Sequence, residues 1–285
     1  MAATFPSPRQ SAERVASTEG THRLALIGFF VLTFALSWTI WVPVMTASFG
    51  WPGFSLPPAG LLGALMPGVA AIAVTASVGG WAAVRALLRQ LTVWRVDVRW
   101  YAAAVLLIPA IIGATFVVSS ALRGSWLPTP EITFGAVAFM LVLQIPNTLA
   151  EELGWRGFAL PRMAALTGWL PASLGLGVIW AAWHLPYWIS APNVHLYGAA
   201  AIGLFFAMPV AASVFLAWMY RATGSVLLTW LTHLCINVTI AFLPLSSETI
   251  GSLWPQGLYT ALIVGVGVVA ALRLRQAGRS DGVRR

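Results

Sequence analysis

The chain has 285 residues, 59% of them hydrophobic and only 8% charged, against about a quarter charged in a soluble domain. With a mean hydropathy of +0.83, this excludes water as the main solvent and points to one all-α membrane domain. All sixteen basic residues are Arg, and the formal charge is +8. They stand in short segments between apolar runs and at the two ends, the pattern of membrane topogenesis rather than of a nucleic-acid face, so nucleic acid is excluded as a partner. The single cysteine, Cys235, forbids an intrachain disulfide and is expected to be a small core residue.

Residues 1–23 are polar and are expected to be a mobile cytoplasmic tail. Leu24–Met45 is the first apolar run. It is too long for a typical signal-peptide core, although Thr46-Ala47-Ser48 faintly resembles a cleavage site. Seven further runs follow at Leu61–Val78, Trp100–Ser120, Ile132–Ala150, Pro171–Ile189, Ala199–Trp218, Ser225–Leu243 and Leu253–Leu272. Each approaches the roughly 20 residues that cross a hydrocarbon core of about 30 Å. The expected fold is therefore a polytopic transmembrane helix bundle of about eight spans, one domain over 24–274, with an Arg-rich cytoplasmic tail at 275–285. Between the second and third spans, 81–99 alternates Trp, Leu and Val with Arg85, Arg89, Arg95 and Arg99, as an interfacial amphipathic helix on the cytoplasmic side would.

Fifteen arginines fall on one side of this topology and only Arg123 on the other, which predicts an even number of crossings with both termini inside. Trp51, Trp81, Trp94, Trp100, Trp169 and Trp254 lie near span ends and suit aromatic belts. The Arg-only, Ala- and Trp-rich composition reads as bacterial, which places the chain in a plasma membrane. Oligomeric state is not legible.

A charge inside a span costs about 2.5–3.5 kcal/mol on insertion scales, so each one needs a reason. Glu151, Glu152 and Arg156 close the fourth run, His184 is in the fifth, and His233 and Asn237 are in the seventh. Helical spacing puts Gln144, Asn147 and Glu151 on one stripe and Thr148, Glu152 and Arg156 on the next. Pro146 is expected to kink the helix beside them. Glu152 and Arg156 are four apart, so the guanidinium can pair with Glu152 or reach Glu151. Thr229, His233 and Asn237 share one face. His22 and His195 lie in polar segments outside the spans and are left out.

A carboxylate, imidazoles, an amide and a guanidinium suit hydrolysis of an acyl bond by water. No G-x-S-x-G or H-E-x-x-H pattern is present. Intramembrane Glu and His also mark ion-coupled transporters and proton relays, and a non-catalytic scaffold or immunity protein is a further alternative. No paired set of broken helices favours the transporter.

At these residues the chain resembles the CPBP family of intramembrane endopeptidases, which includes CAAX prenyl proteases of the Rce type and bacterial Abi proteins. Three motifs match in order: Glu151-Glu152-Leu153-Gly154-Trp155-Arg156, continued by Gly157-Phe158-Ala159-Leu160-Pro161-Arg162; Trp180 with His184; and His233 with Asn237. The resemblance covers about 132–243. It implies hydrolysis of a membrane-associated peptide or protein, with Glu151 as general base assisted by His184, His233 and Asn237 as oxyanion donors, and Glu152 and Arg156 as orienting groups. No cofactor is favoured. The family's frequent metalloprotease label would instead make Glu151, His184 and His233 zinc ligands. Trp180 stands where the family more often has Phe, and the exchange is expected to leave the site undisturbed. One tension is depth: counted along their spans, Glu151 and His184 are expected about 15–20 Å apart.

Overall fold

The computed structural model describes residues 8–48, 50, 59–127, 129–186, 192–243, 245 and 251–283. The described chain is almost entirely helical. Lipid offers no hydrogen-bond partners, so a spanning backbone must satisfy itself, and α-helices do this within one segment. In chain order the main helices are α1 (Pro8–Ser48), α2 (Ala59–Ala64), α3 (Met66–Arg89), α4 (Val98–Ala102), α5 (Ile108–Arg123), α6 (Phe134–Glu152), α7 (Leu160–Thr167), α8 (Trp169–Trp183), α9 (Pro192–Thr223), α10 (Val226–Phe242) and α11 (Trp254–Val283). Two π-helical stretches, Ala103–Leu107 and Leu153–Ala159, join α4 to α5 and α6 to α7.

Among the described residues six helical stretches are long and apolar enough to cross a membrane: 19–43, 61–92, 98–123, 134–167, 197–223 and 254–278. The other two expected spans are shorter apolar helices, α8 with 15 residues and α10 with 17. At 1.5 Å per residue they reach only about 22–26 Å. These two carry Trp180 and the pair His233 and Asn237, and His184 caps the end of α8.

The bundle exposes apolar side chains and holds, beside an apolar core, a set of buried polar groups. On α6, Phe139 and Val142 are 63% and 70% exposed, while Asn147, Thr148, Glu151 and Glu152 on the other face are buried. In water such an exposed apolar surface would promote association; facing hydrocarbon it costs nothing. α9 packs extensively on α8 and α11, and α10 lies against α5 and α6.

Glycine sets the closest approaches. A Cβ on Gly154 would fall 2.7 Å from the Pro67 carbonyl oxygen, one on Gly68 would fall 2.9 Å from the Ala150 Cα, and one on Gly177 would fall 2.7 Å from the Val210 Cα. Small residues let helix backbones touch where no hydrophobic force drives them together. Gly154→Ala is therefore expected to cost about 1–3 kcal/mol by forcing α3 away from the π-helical stretch. A lower thermal midpoint in detergent would register it; an unchanged midpoint would mean that the contact yields freely.

Several sequence expectations change in detail. Helix α1 begins at Pro8, so the expected tail is helical from there on, and the helix continues outward with Glu19 and Arg23 4.0 Å apart. The amphipathic segment is helical only as far as Thr92, after a break at Gly80 (φ 62°), because Asp97 caps a new helix by accepting the Arg99 N–H. Within it Val84 and Leu87 pack inward while Trp81, Arg85 and Arg89 are exposed. Trp81, Trp94 and Trp254 are exposed as belt residues would be, but Trp100 is buried with its ring 4.8 Å from that of Trp218. Trp51 lies outside the described residues. Cys235 is partly exposed rather than buried.

Candidate active site

α6 does not end at the carboxylates. It stays helical through Pro146 and continues into a π-helical stretch, Leu153–Ala159, whose seven residues are all buried. The Gly157 carbonyl there accepts from the Gln90 amide at 3.4 Å, and Gln90 in turn accepts from the Tyr220 hydroxyl at 2.6 Å. π-helical turns within α-helices recur at functional sites.

The extension of α6 into α7 resolves the depth mismatch. The chain reverses at Gly168 (φ 85°), a left-handed position that suits a residue without Cβ. Glu151 precedes this turn by about as many residues as His184 follows it. The antiparallel pair therefore sets both at one level, which the truncated fourth span had concealed. α8 ends at Trp183, and the Trp38 indole N–H of α1 donates to the Trp183 carbonyl at 2.9 Å.

Glu152 and Arg156 are fully enclosed. The guanidinium Nη1 donates to Glu152 Oε1 at 2.7 Å, and His233 Nδ1 lies 3.0 Å from the same oxygen. The pairing possible from the sequence is thus with Glu152, and Arg156 is an interior charge rather than one of the loop arginines. Its ring-facing side covers Trp180, with Cζ 4.4 Å from the indole centroid. Arg156 Nε and Nη2 and Glu152 Oε2 have no protein partner, so this pair is enclosed yet incompletely satisfied.

Glu151 is a different carboxylate. It is 4% exposed, and its Oε2 accepts from the Trp180 indole N–H at 2.8 Å. His184 is half-buried; its Nδ1 is 2.9 Å from the Trp180 carbonyl oxygen. A carbonyl only accepts, so the proton sits on Nδ1, and Nε2 of the neutral ring keeps its lone pair. Trp180 lies between the two imidazoles, its ring centroid 6.0 Å from that of His184 and 5.2 Å from that of His233. Trp41, Trp183 and Phe205 wall the other sides of His184. Asn237 is held by Gln144, its Nδ2 donating to Oε1 at 3.0 Å, which leaves one amide N–H free.

α6 with the π-helical stretch, α8 and α10 thus bring Glu151, Arg156, His184 and His233 against Trp180, with Glu152 tied to Arg156 and His233 and Asn237 held by Gln144. His233 is tied to Glu152 and Asn237 to Gln144, and these two ties were not legible beforehand. Gln144 could have been found, since it shares the Glu151 stripe. Nor is the aromatic at 180 a passive exchange, because its N–H is bonded to the carboxylate. A zinc centre needs three or four N, O or S donors about one point. Among the described residues no three His, Cys, Asp or Glu side chains form such a group.

Residues 133–239 match the family described as type II CAAX prenyl endopeptidase Rce1-like. CAAX prenyl protease 2 of Methanococcus maripaludis is 30% identical over 122 residues, which are 41% of this chain and 44% of that protein. The chain thus spans less than half the length of this curated relative. The family match spans all three motifs.

Proposed function

We propose that this protein is an intramembrane endopeptidase of the CPBP type, on the strength of the match of residues 133–239 to the Rce1-like CAAX prenyl endopeptidase family. The observation that carries the reading is the division of labour between adjacent carboxylates. Glu152 is neutralised by Arg156 and sealed, whereas Glu151 keeps one oxygen unengaged at a slightly open position.

In the proposed reaction a water molecule lies between Glu151 Oε1 and His184 Nε2. Glu151 takes a proton as the water oxygen bonds to the scissile carbonyl carbon, and the carbonyl π pair moves onto its oxygen. The free Asn237 N–H and His233 Nε2–H receive that oxyanion. His233 already directs Nδ1 at the Glu152 carboxylate. When Nδ1 donates there, Nε2 also donates only in the imidazolium form. Collapse then breaks the C–N bond, and Glu151 returns its proton to the leaving amine, so that one acid and one amine are released. No metal enters.

The substrate class is a membrane-associated peptide or protein, with lipid as the surrounding partner. The relative's name makes a prenylated C-terminal peptide the first to try. The single-sided Arg distribution, even with Arg156 set aside as interior, supports a multi-pass plasma-membrane protein with both termini in the cytoplasm.

The test is cleavage in proteoliposomes of a peptide ending in a prenylated cysteine and three residues, beside an unprenylated peptide library, with and without chelator. His184→Ala is expected to slow cleavage about 10²-fold or more, the lower end of the range for acid–base assistance, since His184 orients the water that Glu151 deprotonates, with chelator leaving wild type unchanged. Equal rates for wild type and His184→Ala would end the assignment of His184. Chelator-sensitive cleavage restored by zinc would overturn the metal-free mechanism.

A further inference from the structure

A carboxylate general base has two oxygens of equal basicity, and a catalyst gains when only one is offered to the water in one orientation. At Glu151 this selection is made by a neighbouring residue. The Trp180 N–H occupies Oε2 at 2.8 Å, both side chains are about nineteen-twentieths buried, and Oε1 is the oxygen left over. The same residue acts from its backbone: the Trp180 carbonyl accepts from His184 Nδ1 and so keeps the lone pair on Nε2. The two groups proposed to flank the water are thus both oriented by Trp180, one through its side chain and one through its main chain.

The ring itself is held. The Arg156 guanidinium lies over one face at 4.4 Å, and the His233 ring meets it edge-on at 5.2 Å. A cation over the π face draws electron density from the ring and strengthens the N–H as a donor. The enclosed Glu152–Arg156 pair therefore acts on the base through the indole as well as through space.

We propose that Trp180 is a positioning residue for the reaction: its indole N–H holds Glu151 Oε2, so that Oε1 alone takes the proton from water. This rests on the reading of Glu151 as the base. It assigns a function to the nitrogen of this side chain, which a phenylalanine at the same place cannot perform.

Two replacements isolate the nitrogen. Trp180→Phe keeps a ring face for Arg156 and the backbone bond to His184. β-(3-Benzothienyl)alanine at position 180 keeps the full bicyclic shape and changes only N–H to sulfur. Both are assayed on the prenylated peptide in proteoliposomes beside wild type and Glu151→Gln, with thermal midpoints measured in parallel. Either replacement is expected to lower kcat roughly 10- to 100-fold, the factor associated with a hydrogen bond to an ionised group, and to leave KM within about twofold, since the bond is made to enzyme and not to substrate. If Phe unsettles the fold, the benzothienyl variant decides alone. A benzothienyl enzyme with wild-type kcat refutes the proposal. So does a fall in kcat matched by an equal rise in KM, or one accounted for by the loss of folded protein. Failure of the underlying reading looks different: Glu151→Gln would then cleave as fast as wild type.

Discussion

Glu151→Gln is expected to reduce kcat for peptide cleavage by about a thousandfold, within the 10²–10⁴ range for loss of a general base, with little change in folding. Glutamine is nearly isosteric, and its carbonyl oxygen can still accept from the Trp180 N–H that now reaches Oε2 at 2.8 Å. The amide has no lone pair basic enough to take a proton from water. KM is expected to hold, because the lost step occurs only on the way to the transition state. Purified variant and wild type, compared for turnover and thermal midpoint in the same lipid, give the result. A variant that turns over within a few-fold of wild type would transfer the base role elsewhere, and Glu152 is poorly placed to take it because it is fully enclosed and paired with Arg156.

Arg156→Met carries the largest expected effect on stability, about 3–5 kcal/mol. Glu152 is fully enclosed, and removing the guanidinium would leave its charge without its cationic partner in a low-dielectric interior. The Met side chain fills most of the volume, so the cost is electrostatic rather than that of a cavity. The discriminating measurement is the double variant Glu152→Gln/Arg156→Met. It is expected to recover much of the lost midpoint, because replacing both members of a buried pair is far cheaper than orphaning one. It should nevertheless remain slow, since Trp180 loses the cation over its ring and His233 loses the carboxylate at Nδ1. Additive stability losses in the double variant would show that the pair is not coupled in this way.

Most of the polar residues around the site could be named from the sequence, because lipid makes each one conspicuous. Glu151, Glu152 and Arg156 interrupt an apolar run, and steps of three and four residues show which of them share a stripe with Gln144 and Asn147. The steps from Thr229 through His233 to Asn237 likewise put His233 and Asn237 on one inward face, and the structure places both against α6 partners. The helical class and most span positions followed from hydropathy, with α6 as the main departure. Its helix continues through the glycines after the carboxylates, since Gly154 allows α3 to pack against it and the widened π-helical turns keep those residues interior.

The sequence by itself determined which side chains are too costly to leave in hydrocarbon and which face of each helix they share, because both depend only on residue chemistry and a 3.6-residue period. The tertiary structure alone decided that Glu151 and His184 stand at one level, that Glu152 rather than Glu151 takes the arginine and a histidine, and that an indole nitrogen holds the remaining carboxylate. Those outcomes depend on where helices end and how closely they approach. A turn at Gly168 and contacts through Gly68, Gly154 and Gly177 set these distances between segments far apart in the chain, and periodicity along one helix carries no information about its depth against another.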